Sequence, residues 1–154
     1  MPLLRRMIGE AERTGGSVIA AMEVGDREIS MYGCVGPGEA DGDLVRVASI
    51  VEQPAPEDAP SRLAGIGRYV FTPRIFDALA RTTPGAGGEI QLTDAIAILA
   101  LEEPVFALPF ADGRYDVGNP LDAMKAQIAL ALARDDLGPT LRPWLEALLA
   151  HPDR

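Results

Sequence analysis

Apolar residues recur along the chain with two different periods, and the two periods alternate. Residues 2–14 carry apolar side chains at helical spacing, and Gly15-Gly16 follows where a glycine C-cap would end that helix. Ser17–Glu23 is a short apolar run, which is typical of a buried strand. Further strands are predicted at residues 31–35, 44–52, 64–71 and 105–110, with a flexible turn over residues 36–42. Asp41-Gly42 favours a hairpin between the strands on either side.

Helical spacing returns in the second half of the chain. Helices are predicted from Thr72-Pro73 onward, from Thr93 to about Glu102, from about residue 120 to 134, and over residues 141–149. Thr72 and Thr93 are expected to be the N-caps of the first two. Because helices and strands interleave, the expected architecture is α/β in layers, and the hairpin indicates a mixed sheet rather than a wholly parallel one.

Length and composition exclude several classes of protein. The 154 residues fit one domain, and a formal net charge of −9 makes nucleic acid and anionic membrane unexpected partners. One cysteine excludes an intrachain disulfide and a Cys-cluster zinc site, and the single histidine, His151, argues against His-based catalysis. No apolar leader or membrane-length apolar stretch is visible, so a cytoplasmic protein is expected. Any catalysis would use carboxylates, backbone groups, Arg, Tyr or a hard cation.

Four places could carry chemistry, and each has a plain structural alternative. Glu52 ends a predicted strand, where it could accept hydrogen bonds from sugar hydroxyls or simply lie in solvent. Asp116 precedes a predicted helix, where it could cap that helix or bind Mg²⁺, which prefers carboxylate oxygen. Residues 84–94 are glycine-rich but match neither phosphate-loop pattern, so a flexible connection is favoured. Gly33, like the glycines within the strand at 64–71, could let a ligand approach the backbone closely.

Longer motifs occur in a definite order along the chain. They are Val51–Pro54 (VEQP), Ala59–Ser61 (APS), Ile66–Tyr69 (IGRY), Pro84–Ala95 (PGAGGEIQLTDA) and Tyr115–Gly118 (YDVG). In this order and spacing the chain is similar to the C-terminal portion of bacterial UTP–glucose-1-phosphate uridylyltransferases, also called UDP-glucose pyrophosphorylases. The similarity extends from Leu3 to about Leu149.

The resemblance implies a Rossmann-like nucleotidyltransferase fold and a reaction that joins UTP and glucose 1-phosphate into UDP-glucose and pyrophosphate, with Mg²⁺. Gly33 and Glu52 resemble the positions that hold the glucose hydroxyls. Gly65 lies where the family makes backbone contacts to the sugar. Asp116 resembles the second carboxylate on Mg²⁺.

Two departures from the family pattern affect the expected function. Gln53 stands where the family has a lysine that contacts the sugar phosphate, although Arg62 or Arg68 nearby could compensate. The family's N-terminal half, which carries the triphosphate loop, the uracil pocket and the first Mg²⁺ aspartate, has no counterpart in these residues. The chain is therefore expected to be the sugar-phosphate-binding part of the enzyme and inactive alone. The alternative is a non-catalytic binding or assembly module derived from the same fold.

The expected organisation has two parts. Residues 1–134 would form the sugar-binding half of a nucleotidyltransferase domain, and residues 135–154 a C-terminal amphipathic helix and tail. A sheet severed from its other half would be open, and unpaired edge strands tend to associate. A homo-oligomer is therefore expected, with a sugar nucleotide or sugar phosphate as the small-molecule partner, and with neither nucleic acid nor membrane.

Overall fold

A computed structural model describes residues 2–85, 88–111, 115 and 118–150. The chain divides into two compact units, residues 1–111 and residues 112–154. The predicted boundary at residue 134, between the sugar-binding half and the C-terminal helix and tail, stays a prediction.

Helices and strands interleave in the order that the hydrophobic pattern predicts. They are α1 (Leu3–Thr14), β1 (Ser17–Glu23), β2 (Gly33–Asp41), β3 (Leu44–Glu52), β4 (Leu63–Val70), α2 (Ile75–Arg81), α3 (Leu92–Glu102), β5 (Val105–Pro109), α4 (Pro120–Leu132) and α5 (Gly138–Ala150), with a short 3₁₀ turn at Ile29–Met31. The first helix ends as expected at Gly15, which has a left-handed φ of 65° and donates its N–H to Ala11. The mixed α/β fold class is confirmed.

The five strands form one mixed sheet in the order β1-β4-β2-β3-β5. β1 and β5 run parallel, and the other pairings are antiparallel. β3 reaches β5 at Val45 and Arg46, which pair with Ala107 and Phe106, so the ring closes. The expectation of an open sheet is therefore wrong, because in the described residues each strand has neighbours on both sides. Self-association loses this support and stays a prediction.

Helices pack on both faces of β1, while parts of β2, β3 and β4 are exposed. On one face α2 and α3 pack over a cluster that includes Ile19, Val35 and Leu99. On the other face α1 contributes Met7 to a cluster with Val18 and other side chains. Successive residues of β1 thus alternate between two buried faces, and this is why its sequence is an almost continuous apolar run.

The hairpin is longer than the sequence indicates. Residues 36–41, predicted as a flexible turn, belong to β2, and only Gly42 and Asp43 separate it from β3. Two irregularities in the register accommodate Pro37 within the strand. Gly36 lies so close to β3 that an added Cβ would come within 2.1 Å of Ser49 Oγ. Pairing with β3 therefore overrides the local preference of Gly and Pro for turns.

Thr72 does not cap α2. Its hydroxyl instead donates to Glu103 Oε1 at 2.6 Å, and Ser17 Oγ donates to the same oxygen at 3.2 Å. The Glu103 side chain is only 10% exposed, so these donors satisfy a largely buried carboxylate. The α2 helix begins at Ile75 without a side-chain cap. A local capping preference has thus given way to a long-range contact.

The second unit consists of α4 and α5 in its described part. Asn119 caps α4, and its Oδ1 accepts from the N–H groups of Leu121 at 2.9 Å and Asp122 at 3.3 Å. Pro120 follows in the first turn, where its missing N–H costs nothing. Among the helices that the structure describes, none is long and apolar enough to cross a membrane.

Candidate functional site

A cavity of about 320 Å³ opens where β2 begins, where β3 ends and along the middle of β4. This volume is at the small end of the range for ligand pockets and suits a single sugar ring. Its walls combine aliphatic side chains, two tyrosines, one carboxylate and three glycines. The lining residues are Ile19, Met31, Tyr32, Gly33, Ile50, Glu52, Gly65, Ile66, Gly67, Tyr69, Gln91, Leu92, Thr93 and Ile96.

Strand register brings three of the four predicted sugar-binding residues together. Gly33 lies directly opposite Glu52 in the β2–β3 pair. Cys34 pairs with Ala64 in the β2–β4 pair, which places Gly65 beside Gly33. An added Cβ on Gly65 would lie 3.6 Å from the Gly33 carbonyl oxygen. The predicted residues thus share one wall although up to 32 positions separate them in the chain.

A bulge in β4 shapes the part of the cavity wall that follows Gly65. Ile19 pairs with Tyr69 and Ala21 with Gly65, so three residues of β4 face a single residue of β1. Gly67 lies within this bulge with a left-handed φ of 74°, a conformation that side chains disfavour. The glycines noted in this strand thus mark a distortion that turns the strand toward the cavity.

Thr93 holds the Glu52 carboxylate. The Thr93 hydroxyl donates a short hydrogen bond to Glu52 Oε2 across 41 positions of sequence. The prediction that Thr93 caps α3 is wrong, because Gln91 occupies the N-cap position and no side chain caps the helix. An added Cβ on Gly33 would lie 3.0 Å from Thr93 Oγ1 and 3.1 Å from Glu52 Oε2, so a larger residue there would have to displace this pair.

The charge on Glu52 affects the pKa values of two neighbouring side chains. Burial raises the pKa of the Tyr69 phenol, and the negative charge of Glu52 raises it further. Burial likewise raises the pKa of the Cys34 thiol, with Glu52 as a second cause and Arg62 opposing it. Both groups therefore stay neutral at physiological pH, and Glu52 sets the local potential. Tyr69 also stacks on Phe71 with a centroid distance of 5.3 Å, which fixes its ring.

Comparison with known proteins identifies the family. The sequence profile of the family described as nucleotidyl transferase matches residues 2–132. The chain belongs to the nucleotidyl transferase family. Among curated proteins, UTP–glucose-1-phosphate uridylyltransferase of Streptococcus pneumoniae serotype 4 is 47% identical over 146 residues, which is 94% of this chain and 49% of that protein. The Streptococcus pyogenes enzyme of the same name is 46% identical over 145 residues, which is 94% of this chain and 48% of that protein.

Solved structures of nucleotidyl transferases agree with this assignment. A UDP-glucose pyrophosphorylase crystallised with UDP-glucose superposes with a TM-score of 0.77 and 36% identity, over 84% of this chain and 49% of that one. A UTP-bound UGPase from Acinetobacter baumannii superposes with a TM-score of 0.78 and 32% identity, over 93% and 49%. The expected resemblance to these enzymes is confirmed. The chain spans about half the length of each.

Gln53 is placed apart from the other predicted residues of this family's sugar site. It follows the end of β3 with an exposed side chain and does not line the cavity. Its φ of 43° is left-handed, and its N–H donates to Tyr32 O at 3.1 Å. Of the two arginines that could compensate, Arg62 is bound to Asp26 at 2.7 Å, and neither Arg62 nor Arg68 contributes to the described lining.

The predicted metal ligand Asp116 lies outside the described residues. Among the residues that are described, no group of three His, Cys, Asp or Glu side chains could hold a metal ion. The described cavity lining offers one carboxylate, Glu52, and that carboxylate is engaged by Thr93. The described donors therefore do not make a magnesium site by themselves, and the Mg²⁺ expectation stays a prediction.

Sequence reasoning did not select Thr93, Tyr69 or Gln91 as site residues. All three occur within motifs that carry the family resemblance, but Thr93 also stands at the start of a predicted helix, where capping explains it well. The bulge in β4 places Ile66, Gly67 and Tyr69 together in the lining, so a regular strand period does not single out Tyr69. The place of Gln91 in the cavity depends on how α3 packs against β3.

Proposed function

We propose that this chain supplies the glucosyl-binding part of an enzyme that makes UDP-glucose and pyrophosphate from UTP and glucose 1-phosphate. The arrangement of Glu52, Thr93 and Gly33 around a cavity that fits one sugar ring carries the proposal. Similarity to curated uridylyltransferases over 94% of the chain supports the choice of substrates. The motif order favours the C-terminal portion of such an enzyme as the part represented here.

The cavity has the chemistry that a neutral sugar needs. A carboxylate only accepts hydrogen bonds, and Glu52 keeps lone pairs beyond the one used by Thr93, so it can accept from sugar hydroxyls. Such charge-assisted bonds are about twice as strong as neutral ones. Met31, Ile66 and Leu92, which are not fully buried, offer apolar surface for the C–H groups of the ring. Glu52 is thus the charged anchor in a cavity of mixed polar and apolar character.

The phosphate end is held weakly in this chain. Gln53 can hydrogen-bond a phosphate but cannot neutralise it, and its side chain does not line the cavity. We expect glucosyl ligands to bind with millimolar or poorer affinity, about 4 kcal/mol or less. UTP should bind more weakly still, because no cation is present in the described lining to meet its charge.

A titration followed by NMR chemical shifts tests the sugar site. Glucose 1-phosphate and UDP-glucose should shift the amide signals of Gly33 and Gly65, and UTP should not. Glu52→Ala should abolish the sugar-dependent shifts, because it removes the only charged acceptor in the described lining. Glu57→Ala, which removes an exposed acid from the loop after β3, is the matched control and should behave like the parent. Unchanged UDP-glucose binding in Glu52→Ala, or tighter binding of UTP than of the sugars, would contradict the proposal.

The 154-residue chain by itself should not complete the reaction. Phosphoryl transfer depends on positioning and on neutralising charge at the triphosphate, and the described cavity provides neither. By resemblance we propose that Asp116 would supply a carboxylate to Mg²⁺ in an intact enzyme of this kind. A pyrophosphate-release assay of the purified chain with UTP, glucose 1-phosphate and Mg²⁺ should give no turnover above the protein-free rate, and sustained release would refute this.

A further inference from the structure

The cavity carries a single charged group. Among its described lining residues Glu52 is the only carboxylic acid, and none is Lys, Arg or His. The remaining polar groups are the phenols of Tyr32 and Tyr69, the Gln91 amide and the Thr93 hydroxyl. A ligand in this cavity therefore meets a negative potential that no cation in the described lining offsets.

This charge acts on two neighbouring groups, of which Tyr69 lines the cavity and Cys34 lies next to Gly33. The charge of Glu52 contributes to raising the pKa of both Tyr69 and Cys34, which lie on different strands. Arg62, the cation that opposes it at Cys34, donates to the Pro56 carbonyl at 3.1 Å and binds Asp26 at 2.7 Å. Arg62 is thus directed toward the loop after β3 and not toward the sugar site.

We propose that the cavity selects hexosyl phosphates by the charge on the sugar ring, accepting neutral sugars and amino sugars and rejecting uronates. The proposal rests on the function proposed above and names the sugar class that the same site takes. An ammonium group on the ring would donate up to three hydrogen bonds toward Glu52. A ring carboxylate could only accept and would be repelled by the Glu52 carboxylate, and the Thr93 hydroxyl is already committed to Glu52.

Because the cavity is small, the selection by charge should hold for a charged group at any position on the sugar ring. The volume of about 320 Å³ gives dimensions comparable with the Debye length of about 8 Å at physiological ionic strength. A charged substituent at any ring carbon would then remain within the unscreened field of Glu52. The discrimination should therefore not depend on which hydroxyl contacts the carboxylate.

Three ligands with the same phosphate test this directly. Glucose 1-phosphate, glucosamine 1-phosphate and glucuronic acid 1-phosphate would be titrated into the intact chain, with amide shifts as the readout. The phosphate contributes equally and cancels in the ratios. The uronate should bind at least about tenfold more weakly than glucose 1-phosphate, and the amino sugar equally or up to about tenfold more tightly. In Glu52→Gln, which keeps the shape of the side chain, the three affinities should converge. In Glu57→Gln the parent order should persist.

The outcomes separate the two proposals. If the uronate binds the parent as tightly as glucose 1-phosphate, the charge selection is wrong while the sugar site stands. If none of the three ligands nor UDP-glucose binds, both proposals fail. Salt repeats the test without a substitution, because raising ionic strength from about 0.01 M to about 1 M shortens the Debye length from about 30 Å to about 3 Å. The preference for glucose over uronate should shrink accordingly, and a salt-independent preference would contradict an electrostatic origin.

Discussion

Gly33→Ala should weaken the binding of glucosyl ligands by at least about tenfold while the chain still folds. The new methyl carbon would lie 3.0 Å from Thr93 Oγ1, 3.1 Å from Glu52 Oε2 and 3.2 Å from Thr93 Cγ2. These contacts are too short, so the hydroxyl and the carboxylate must separate or turn. Because both atoms belong to side chains, the strands themselves can stay in place. An NMR titration with UDP-glucose measures the change in affinity, and urea denaturation measures the free energy of unfolding.

Three further variants serve as controls for this result. Gly9→Ala, on the exposed side of α1 with no atom within 4 Å of the new methyl, should bind ligand like the parent. Thr93→Ala removes the donor to Glu52 without crowding it, and it should weaken binding less than Gly33→Ala does. Thr93→Ser keeps the hydroxyl and should restore most of the affinity. If Gly33→Ala retained parental affinity, the cavity would not be the sugar site.

Gly16→Ala should lower the free energy of unfolding by about 3 kcal/mol. Its added methyl carbon would lie 2.4 Å from Pro104 O and 2.9 Å from Pro104 Cβ. That carbonyl cannot move away freely, because it accepts from the Ser17 N–H at 2.9 Å where β1 and β5 begin their parallel pairing. Since the clash is with backbone, rotation of a side chain cannot relieve it.

Gly9→Ala is again the matched control, and it should raise the free energy of unfolding rather than lower it. It places the same methyl group in the exposed interior of a helix, where alanine is favoured over glycine by about 0.5–1 kcal/mol. Urea denaturation of the two variants should therefore move the midpoint in opposite directions. A Gly16→Ala protein as stable as the parent would show that Gly16 and Pro104 do not approach as closely as described.

Local pattern predicted the elements well and the long-range contacts poorly. The period of the apolar residues was enough for α1, β1 and α4, because each buries a regular face or run. It failed at residues 36–41, where pairing with β3 overrides turn-forming residues. Ring closure between β3 and β5 also depends on contacts about 60 positions apart, for which the sequence contains no local sign.

The residues of the candidate site were likewise predicted only in part. Glu52, Gly33 and Gly65 were indicated by resemblance, and strand register brings them together. Thr93 was predicted to cap α3, but its hydroxyl donates to Glu52 instead. A threonine at the start of a helix can serve either purpose, and the local sequence does not distinguish them. Gln53 was expected at the phosphate end of the site because it stands where the family has a lysine. The left-handed turn of the backbone at Gln53 instead follows the strand end, and its side chain does not line the cavity.

The bulge in β4 has a consequence for how this site can diverge. Ile66, Gly67 and Arg68 are set against a single residue of β1, so this wall is not tied residue by residue to the neighbouring strand. Lengthening this segment at the exposed Gly67 would change the shape offered to a sugar without shifting the register on which the closed ring depends. This part of the cavity wall can therefore change while the scaffold is kept, whereas Ile19, Ile50 and Ile96 belong to both the cavity and the core.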